Sequence, residues 1–404
     1  MNYYGIPYLQ NKLKMKRLRV MQRYIYYDMK NVTFDFGISS PPELKLWNSV
    51  VGWCAKAVDS LADRLDFHGF RDDVFDLTGI YDMNNKDVLF NSAILGALIS
   101  SCDFIYISED ETGFPRLQVI DGGNATGVID PITMMLNEGY AVLERDEYGN
   151  PTKEAYFTFE YTAYYEGGNL VETRVNKAPY PCLVPFVFRP DSVRPFGHSR
   201  ISRACMSIMG SALRTVKRSE ISAEFYSFPQ KYITGLSSDA EKMDKWQATM
   251  SAMMSFTKDE EGDSPSVGQF QAASMAPHIE QIKGYASMFA GETGLSLDDL
   301  GFVTSNPSSA ESIKASHEGL RLTASKAQKC FGVGLKNVGY IGACIRDNFD
   351  YQREEVFKTK AIWKPTFEPD ASMLSSIGDG IIKINQAIPG VIDEYRLRRM
   401  TGIE

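Results

Sequence analysis

Apolar residues recur at steps of three and four along several stretches of the chain, which predicts helices that pack one face against a core. These stretches cover residues 43–65, 86–102, 199–227 and 276–294. A longer stretch begins within the polar string SNPSSAESIKASHEGLRLTASKAQ at 305–328 and continues beyond it. Its thin apolar seam consists of Ile313, His317, Leu320, Ala324, Ala327, Phe331, Leu335 and Val338. A seam this narrow is typical of a helix packed along another helix.

The start of this long helix carries its own signal. Residues 308–311, Ser-Ser-Ala-Glu, have the form of a capping box, in which the serine oxygen and the glutamate satisfy free amide groups at a helix start. We predict a helix capped by Ser308 and Glu311 that runs to about Asp347, on the order of 60 Å at ~1.5 Å per residue. Four glycines in its second half weaken the prediction and permit a kink there, namely Gly332, Gly334, Gly339 and Gly342.

Between residues 103 and 176 the pattern changes to short runs of β-branched and aromatic residues, separated by turn strings such as EYGNP and EGGN. This predicts an antiparallel meander. The predicted strands are FIYIS, RLQVI, YAVLE, EAYFTFE, TAYYE and NLVETRV. The proline-rich residues 178–197 predict an extended connector and a domain boundary, because proline bars helix continuation. Separate helical and strand regions make the fold class α+β.

A small α/β unit is predicted between helices 199–227 and 276–294, which would then form a helical hairpin with this unit at its tip. Its elements are the strand QKYITG, the helix SDAEKMDKWQATMSAMMSF and the strand VGQFQAA. Ser199 is the expected cap of the first hairpin helix. The methionines of the middle helix suit an adaptable contact surface or core packing equally well. After the long helix, FKTKAIWKPTF predicts one more strand, followed by the helical segments ASMLSSIGDGIIKINQA and VIDEYRLRRMTGIE.

Charge is spread unevenly along the 404 residues. The formal net charge is -8, but residues 1–30 hold seven basic groups against Asp28 alone, so the other residues hold 36 basic and 50 acidic groups, or -14. An acidic body is a poor tight binder of phosphate backbone, so any nucleic-acid contact should be weak and local. The basic segment could be a targeting peptide or a nucleic-acid arm, but a surface helix with a solvated basic face is the simplest interpretation.

Composition also bears on the compartment. No window approaches the ~20 apolar residues that cross a bilayer, so we expect a soluble protein with no membrane partner. The six cysteines contain no C-x-x-C pair and mostly lie in apolar runs, which favours free thiols in a reducing compartment and cytoplasmic assembly.

Motifs for catalysis are missing from the sequence. There is no G-x-x-x-x-G-K-[ST] loop, no G-x-S-x-G elbow and no H-E-x-x-H pair. Of the four histidines, His317 lies on the helical seam and suits packing, while His198 suits a cap or turn. The acidic string SEDETG at 108–113 is predicted to be a solvated hairpin tip. We therefore predict no catalytic residues, no metal site and no cofactor.

Two long segments together resemble the portal proteins of tailed bacteriophages, in the branch with a fairly short chain. They are FGHSRISRACMSIMGSALRTVKRSEISAEFYSFPQKYITGL at 196–236 and LDDLGFVTSNPSSAESIKASHEGLRLTASKAQKCFG at 297–332. Their order and spacing match the family, and a weaker resemblance covers about residues 40–400. The resemblance implies a ring, usually of twelve subunits, at one capsid vertex of the virion around a central channel for double-stranded DNA.

The resemblance also implies a division of the chain. Residues 1–197 would hold the N-terminal helices and the wing strands, and residues 309–370 the long wing helix with its returning strand. The regions that the resemblance places around the channel are the stem helices at 198–229 and 274–294, the clip at 230–273, the channel loop at 295–308 and a crown, short for the family, at 371–404.

Further partners and site residues follow from the same resemblance. The clip would dock the terminase packaging motor and later the head-completion or adaptor protein, and the major capsid and scaffolding proteins would surround the ring. The residues expected nearest DNA in the channel loop are Asp298, Asp299, Phe302, Thr304, Ser305 and Asn306. The stem charges expected to face DNA or a neighbouring subunit are Arg214, Lys217 and Arg218, with ordinary solvated or salt-bridged residues as the alternative.

A channel must let duplex DNA slide, so a strongly basic lining would hinder it, whereas Ser, Thr and Asn exchange hydrogen bonds with successive phosphates. Two other functions remain open at this point. One is a different phage head or tail structural subunit, such as a connector, and the other is a nucleic-acid-processing enzyme with an unrecognised carboxylate site.

Overall fold

The computed structural model describes residues 3–32, 48–227, 231–234, 266–269, 274–302, 310–366 and 371–401. The fold is α+β, as predicted, and the strand pairs in these ranges are antiparallel. Residue contacts divide the chain into two compact units. The first unit consists of Met1–Asn31, Gly52–Met206 and Ala290–Glu404, and the second of Val32–Val51 and Ser207–Phe289. The division at Met206 falls inside the helix predicted at 199–227.

The helices of the first unit largely follow the apolar pattern. They are α1 (Ile6–Tyr27), α2 (Trp53–Ala62), α3 (Leu77–Met83), α4 (Lys86–Ser100), α7 (Ala310–Asp347), α8 (Arg353–Val356), α9 (Ala371–Ala387) and α10 (Glu394–Thr401). The helix predicted at 43–65 is wrong at its start among the described residues, because 48–52 are not helical and Gly52 is the N-cap of α2. Val50, which was expected on the buried stripe, is 61% exposed.

The strands form three sheets in the first unit. They are β1 (Phe67–Arg71), β2 (Cys102–Glu109), β3 (Pro115–Ile120), β4 (Ala125–Ile129), β5 (Leu136–Arg145), β6 (Pro151–Phe157), β7 (Tyr161–Glu166), β8 (Asn169–Val175), β9 (Leu183–Val187) and β12 (Lys360–Trp363). Their orders are β1-β12, β3-β2-β9 and β4-β5-β6-β7-β8. The predicted strands are present, but the single meander is wrong, because β3 and β4 do not pair and the strands divide between two sheets. In addition, β9 forms within the predicted proline-rich connector and pairs with β2.

Strand β9 tolerates proline because of its place in the sheet. It lies at the end of its three-stranded order, with Pro185 opposite Phe104. An edge strand can contain a residue without an N–H on its outward side. The connector is thus part of the core, since every residue of β9 is buried.

The basic N-terminal helix α1 packs on the five-stranded sheet. Leu9 and Leu13 are buried in one cluster with Tyr140, Val142 and Tyr156. On the same helix, the amino groups of two lysines donate to backbone carbonyls on the outer edge of β4: Lys12 Nζ to Gly127 O at 2.7 Å, and Lys16 Nζ to Ala125 O at 3.4 Å. The interpretation of a solvated basic face is therefore wrong, since much of the charge faces the protein.

The long helix α7 is unbroken from Ala310 to Asp347 and forms part of the central core of the first unit. Its Phe331 ring stacks on Phe186 of β9, with ring centres 5.0 Å apart and planes 12° apart. A Cβ on Gly334 would lie 2.7 Å from Phe186 Cδ2, and one on Gly339 would lie 2.9 Å from Leu77 Cδ1. These glycines allow close packing, and the helix continues through them to its predicted end at Asp347.

The two predicted hairpin helices are present as α5 (Arg203–Ser227) and α6 (Ala276–Thr293). Ser202 caps α5, because its Oγ accepts a hydrogen bond from the Cys205 backbone N–H at 3.1 Å. The prediction of Ser199 as the cap is wrong: Ser199 is buried, and its hydroxyl donates to the Ile99 carbonyl at 2.6 Å. Both serines lie at the start of the apolar helical pattern, so the sequence does not distinguish caps one turn apart.

The second unit contains the two predicted strands of the small α/β unit. β10 (Lys231–Thr234) pairs antiparallel with β11 (Ser266–Gln269). The Tyr232 ring covers Gly268, where an added Cβ would lie 2.2 Å from the ring. The helix predicted between these strands, with its methionines Met243, Met250, Met253 and Met254, lies outside the described residues.

Candidate functional site

The segment that follows α6 is the predicted channel loop, and the structure describes its first part. Leu295 and Leu300 are buried, and Asp298–Leu300 form one turn of 3₁₀ helix. Gly301 ends this turn with φ 88°, a left-handed backbone that glycine adopts without strain. The segment therefore leaves α6 as a compact turn anchored by two apolar side chains.

Asp299 is the centre of the hydrogen bonds in this turn. Its Oδ2 accepts from the Ser296 N–H at 2.9 Å and from the Ser296 hydroxyl at 2.8 Å. His317 Nδ1 of α7 lies 3.7 Å from the same oxygen. Burial alone would raise the pKa of Asp299, but the Ser296 hydrogen bonds and the nearby His317 and Lys56 charges outweigh it and lower the pKa. The carboxylate thus ties the segment to α7.

Among the other predicted loop residues, Phe302 and Asp298 differ in exposure. The Phe302 ring meets Trp53 of α2 edge to face, with centres 6.4 Å apart. Asp298 is exposed. Thr304, Ser305, Asn306 and the proposed cap Ser308 lie outside the described residues, as does the side chain of Glu311. The described part of the segment is therefore held by the fold at Asp299 and Phe302 and presents Asp298 to solvent.

Arg200 holds the end of α6, just before this segment, and sequence reasoning missed it. The side chain is buried, its Nε donates to the Ala57 carbonyl at 3.2 Å, and its Nη2 donates to the Thr293 carbonyl. Burial lowers the pKa of Arg200 to about 10. The residue lies in the string FGHSRIS, but its partners are 143 and 93 residues away, so nothing local in the sequence signals them.

The three predicted stem charges lie on α5 in the second unit with different surroundings. Lys217 is only 5% exposed, Arg214 is half-buried and Arg218 is exposed. Arg214 Nη2 donates to Ser211 Oγ at 3.0 Å on the preceding turn. Beside them, the Thr215 hydroxyl donates to Gln281 Oε1 of α6 at 3.2 Å, which joins α5 and α6. Arg218 is thus the most accessible of the three charges.

The described part of the chain also bears on metal binding, cavities and membrane spans. Within those ranges, no group of three or more His, Cys, Asp and Glu side chains is placed to hold a metal ion. A cavity of about 210 Å³ between α7 and β9 is lined mainly by apolar groups, including Met134, Val187 and Val333. None of the helices in the described ranges is long and apolar enough to span a membrane.

Comparison with known proteins gives relatives along almost the whole chain. No family model matches it. The portal protein of Mycobacterium phage L5 is 24% identical over 397 residues, which cover 92% of this chain and 80% of that protein. The portal protein of Mycobacterium phage D29 is 22% identical over 413 residues, which cover 93% of this chain and 81% of that protein.

Solved structures share the fold. A chain in the virion of a native gene transfer agent particle matches with a TM-score of 0.51 and 12% identity, over 95% of this chain and 99% of that chain. The resemblance to phage portal proteins, first seen in two segments, is confirmed by relatives that span more than nine-tenths of the sequence.

Proposed function

We propose that this chain is the subunit of a phage portal, a ring at one capsid vertex of the virion that conducts double-stranded DNA during packaging and ejection. The observation that carries the proposal is the similarity to two phage portal proteins over more than 90% of the chain. The order of elements agrees with it: α5, the β10–β11 pair, α6, a compact turn and the long α7 follow each other as stem, clip, stem, channel segment and wing helix do in the resemblance.

Within such a ring, the segment at 295–308 would approach the DNA. Asp298 and Gly301 are its exposed described residues, and Thr304, Ser305 and Asn306 follow after Phe302. An acidic, hydroxyl-rich and amide-rich lining repels phosphate or exchanges short-lived hydrogen bonds with it, so DNA slides and is not held. Asp299 and Phe302 would support this function by holding the start of the segment against α7 and α2.

The stem charges take separate roles under the proposal. Arg218 is accessible and suits a contact with DNA or with a neighbouring subunit, and Arg214 is partly accessible. Lys217 is buried in the single chain and suits a structural role in the stem. The clip at 230–273 would dock the terminase motor and then the head-completion protein, with the major capsid and scaffolding proteins around the ring. The role is structural, and ATP hydrolysis belongs to the motor.

Mass measurement of the purified chain tests the proposal. A ring of twelve 45.3 kDa subunits has a mass of about 540 kDa, and a closed ring gives one discrete species. We expect negative-stain images of rings with a central hole. A chain that stays monomeric at every concentration, or one with metal-dependent nuclease activity, would favour the alternative of a nucleic-acid-processing enzyme.

A further inference from the structure

Helix α1 has two apolar faces, and only one of them is covered. The inner face consists of Leu9, Leu13 and Val20, which are buried. The other apolar side chains recur at steps of three, four and seven and lie roughly opposite at ~100° per residue. We call this set the outer face of α1: Tyr8, Met15, Leu18, Met21 and Ile25, continued by Tyr4, whose ring stacks on Tyr8 at 4.7 Å.

The outer face is large for a surface that stays in water. Its members are exposed by between 41% for Ile25 and 72% for Met15 and Leu18. Together they expose on the order of 700 Å², whereas the largest apolar patch of a typical monomer is ~300–600 Å² and a stable interface buries ~800 Å² per partner. A helix packed on one side only normally carries polar residues opposite, whereas here the large apolar side chains are interspersed with the exposed Asn11, Lys14 and Gln22. The size therefore points to a protein partner.

Charge narrows the choice of partner. The helix contains no acidic residue, and Lys14 and Arg19 are exposed beside the outer face. The basic groups that could have bound phosphates are instead turned to the chain's own carbonyls, as Lys12, Lys16 and Arg23 show. The exposed basic groups of the helix are thus Lys14 and Arg19, and residues 31–404 carry a net charge of -14. The body of another copy therefore complements this helix in sign.

We infer that the outer face of α1 packs on a second copy of this chain, as a contact between neighbouring subunits of the ring. The inference rests on the proposed function, because it needs a ring. In a closed ring each subunit offers one surface and receives a different one, so α1 of one subunit meets the acidic body of the next. Lys14 and Arg19 then lie at the rim of the contact, where they favour association and register more than affinity.

Substitution of the outer face tests the inference. The variant carries Met15→Glu and Leu18→Glu, and its matched control carries Ile132→Glu, an apolar side chain that is 90% exposed in a turn. Mass photometry over a concentration series gives the fraction of subunits in rings. We expect the wild type and the control to form rings. The fraction of subunits in rings should be at least tenfold lower for the double variant than for the wild type, with unchanged circular dichroism and melting temperature.

A second measurement needs no substitution and decides the matter if the double variant misfolds. Hydrogen peroxide oxidises exposed methionines, so Met15 and Met21 should be oxidised several-fold more slowly in isolated rings than in dissociated subunits, as read by peptide mass spectrometry. Equal rates in the two states would overturn the inference.

The remaining outcomes separate the inference from the proposed function. If wild type and double variant form rings equally, the inference fails and the portal proposal stands. If the control loses its rings as strongly as the double variant, the effect is not specific to α1 and the inference also fails. If anionic vesicles bind the wild type but not the double variant while both form rings, the outer face binds membranes instead. A wild type that never forms rings contradicts the proposed function and the inference with it.

Discussion

The buried carboxylate of Glu138, on β5, accepts a hydrogen bond from the backbone N–H of Tyr4 at 2.9 Å, across 134 residues of sequence. It also accepts from the Gly5 N–H at 3.1 Å and from the Tyr156 hydroxyl at 2.9 Å. The two backbone groups precede α1, where amide groups have no partner within the helix. Glu138 thereby fixes the start of α1 to the five-stranded sheet.

Replacing Glu138 by Gln should weaken this attachment. Both carboxylate oxygens of Glu138 accept hydrogen bonds, but Gln has an NH₂ group in place of one of them. One buried N–H or hydroxyl would therefore lose its acceptor, at a cost of about 1–3 kcal/mol. Urea unfolding should give a lower free energy for this variant. Glu144→Gln is the matched control, because Glu144 is an exposed residue of the same strand paired with Lys153, and such pairs contribute about 0–1 kcal/mol. Equal effects of the two changes would contradict the role of Glu138.

Two glycines of α7 should respond in opposite directions to the same change. Gly334→Ala would place a Cβ 2.7 Å from Phe186 Cδ2, so the core must shift, at a cost of about 1–3 kcal/mol. Gly332→Ala would place one 3.8 Å from Ala361 Cβ, an ordinary contact, and should stabilise the helix by up to about 1 kcal/mol. Thermal unfolding of the two variants measures the difference. A stabilising Gly334→Ala would mean that α7 and β9 are less closely packed than the structure indicates.

Asp103 should make stability depend on pH in a defined direction. The side chain is 2% exposed, and its Oδ1 accepts from the Ser100 hydroxyl and the Gly122 N–H, each at 2.9 Å. Burial, with a smaller contribution from Asp121, raises the pKa of Asp103 to about 7. Between the unfolded pKa of ~3.9 and about 7 the folded state binds more protons than the unfolded state, so this group's contribution to stability falls as pH rises through that window.

Asp103→Asn removes this dependence while keeping an oxygen acceptor. The free energy of unfolding of the variant minus that of the wild type should rise from pH 4 to pH 7 by ~1.4 kcal/mol per pH unit, a few kcal/mol in all. Above pH 7 this difference should be constant. Denaturant unfolding at several pH values measures this difference. Asp298→Asn is the control, because Asp298 is exposed. Parallel profiles for wild type and Asp103→Asn would contradict the assignment.

The proposed channel segment should tolerate changes after Phe302 and not in the part that packs on α2. Shortening the chain within 303–306 should leave ring formation and melting temperature unchanged and reduce the DNA packaged per particle. Phe302→Ala should instead lower the unfolding free energy by about 1–3 kcal/mol, because the ring packs on Trp53. Packaging assays and thermal unfolding separate the two effects. Failure of the shortened chain to form rings would show that this segment is an assembly element.

The sequence predicts the elements whose signals are local. The seam of α7 recurs at helical steps through Phe331 and Leu335, so its length and its end at Asp347 follow from the pattern. The same holds for α9, whose bounds are those predicted. The glycines misled because a propensity cost in an isolated helix becomes a packing requirement beside Phe186 and Leu77.

Features that depend on distant partners are not visible in the sequence. The prolines of the connector argue against a strand, yet β9 forms because β2 is available to pair with it. Lys12 and Lys16 read as solvated charges, because the carbonyls they meet belong to β4, more than a hundred residues later. In the candidate site, the exposed Asp298 follows from a polar turn, whereas Arg200 and the Asp299–His317 pair require the folded chain.

The two edge strands of the five-stranded sheet, β4 and β8, differ in how they are covered. The lysines of α1 occupy outward carbonyls of β4 at one edge, whereas β8 at the other edge is exposed along all seven of its residues and pairs only with β7 among the described strands. A sheet that extends without limit by pairing of edge strands needs two open edges on every molecule. Pairing through β8 alone would end with two molecules, so the same lysines that attach α1 also limit edge-to-edge aggregation of this sheet.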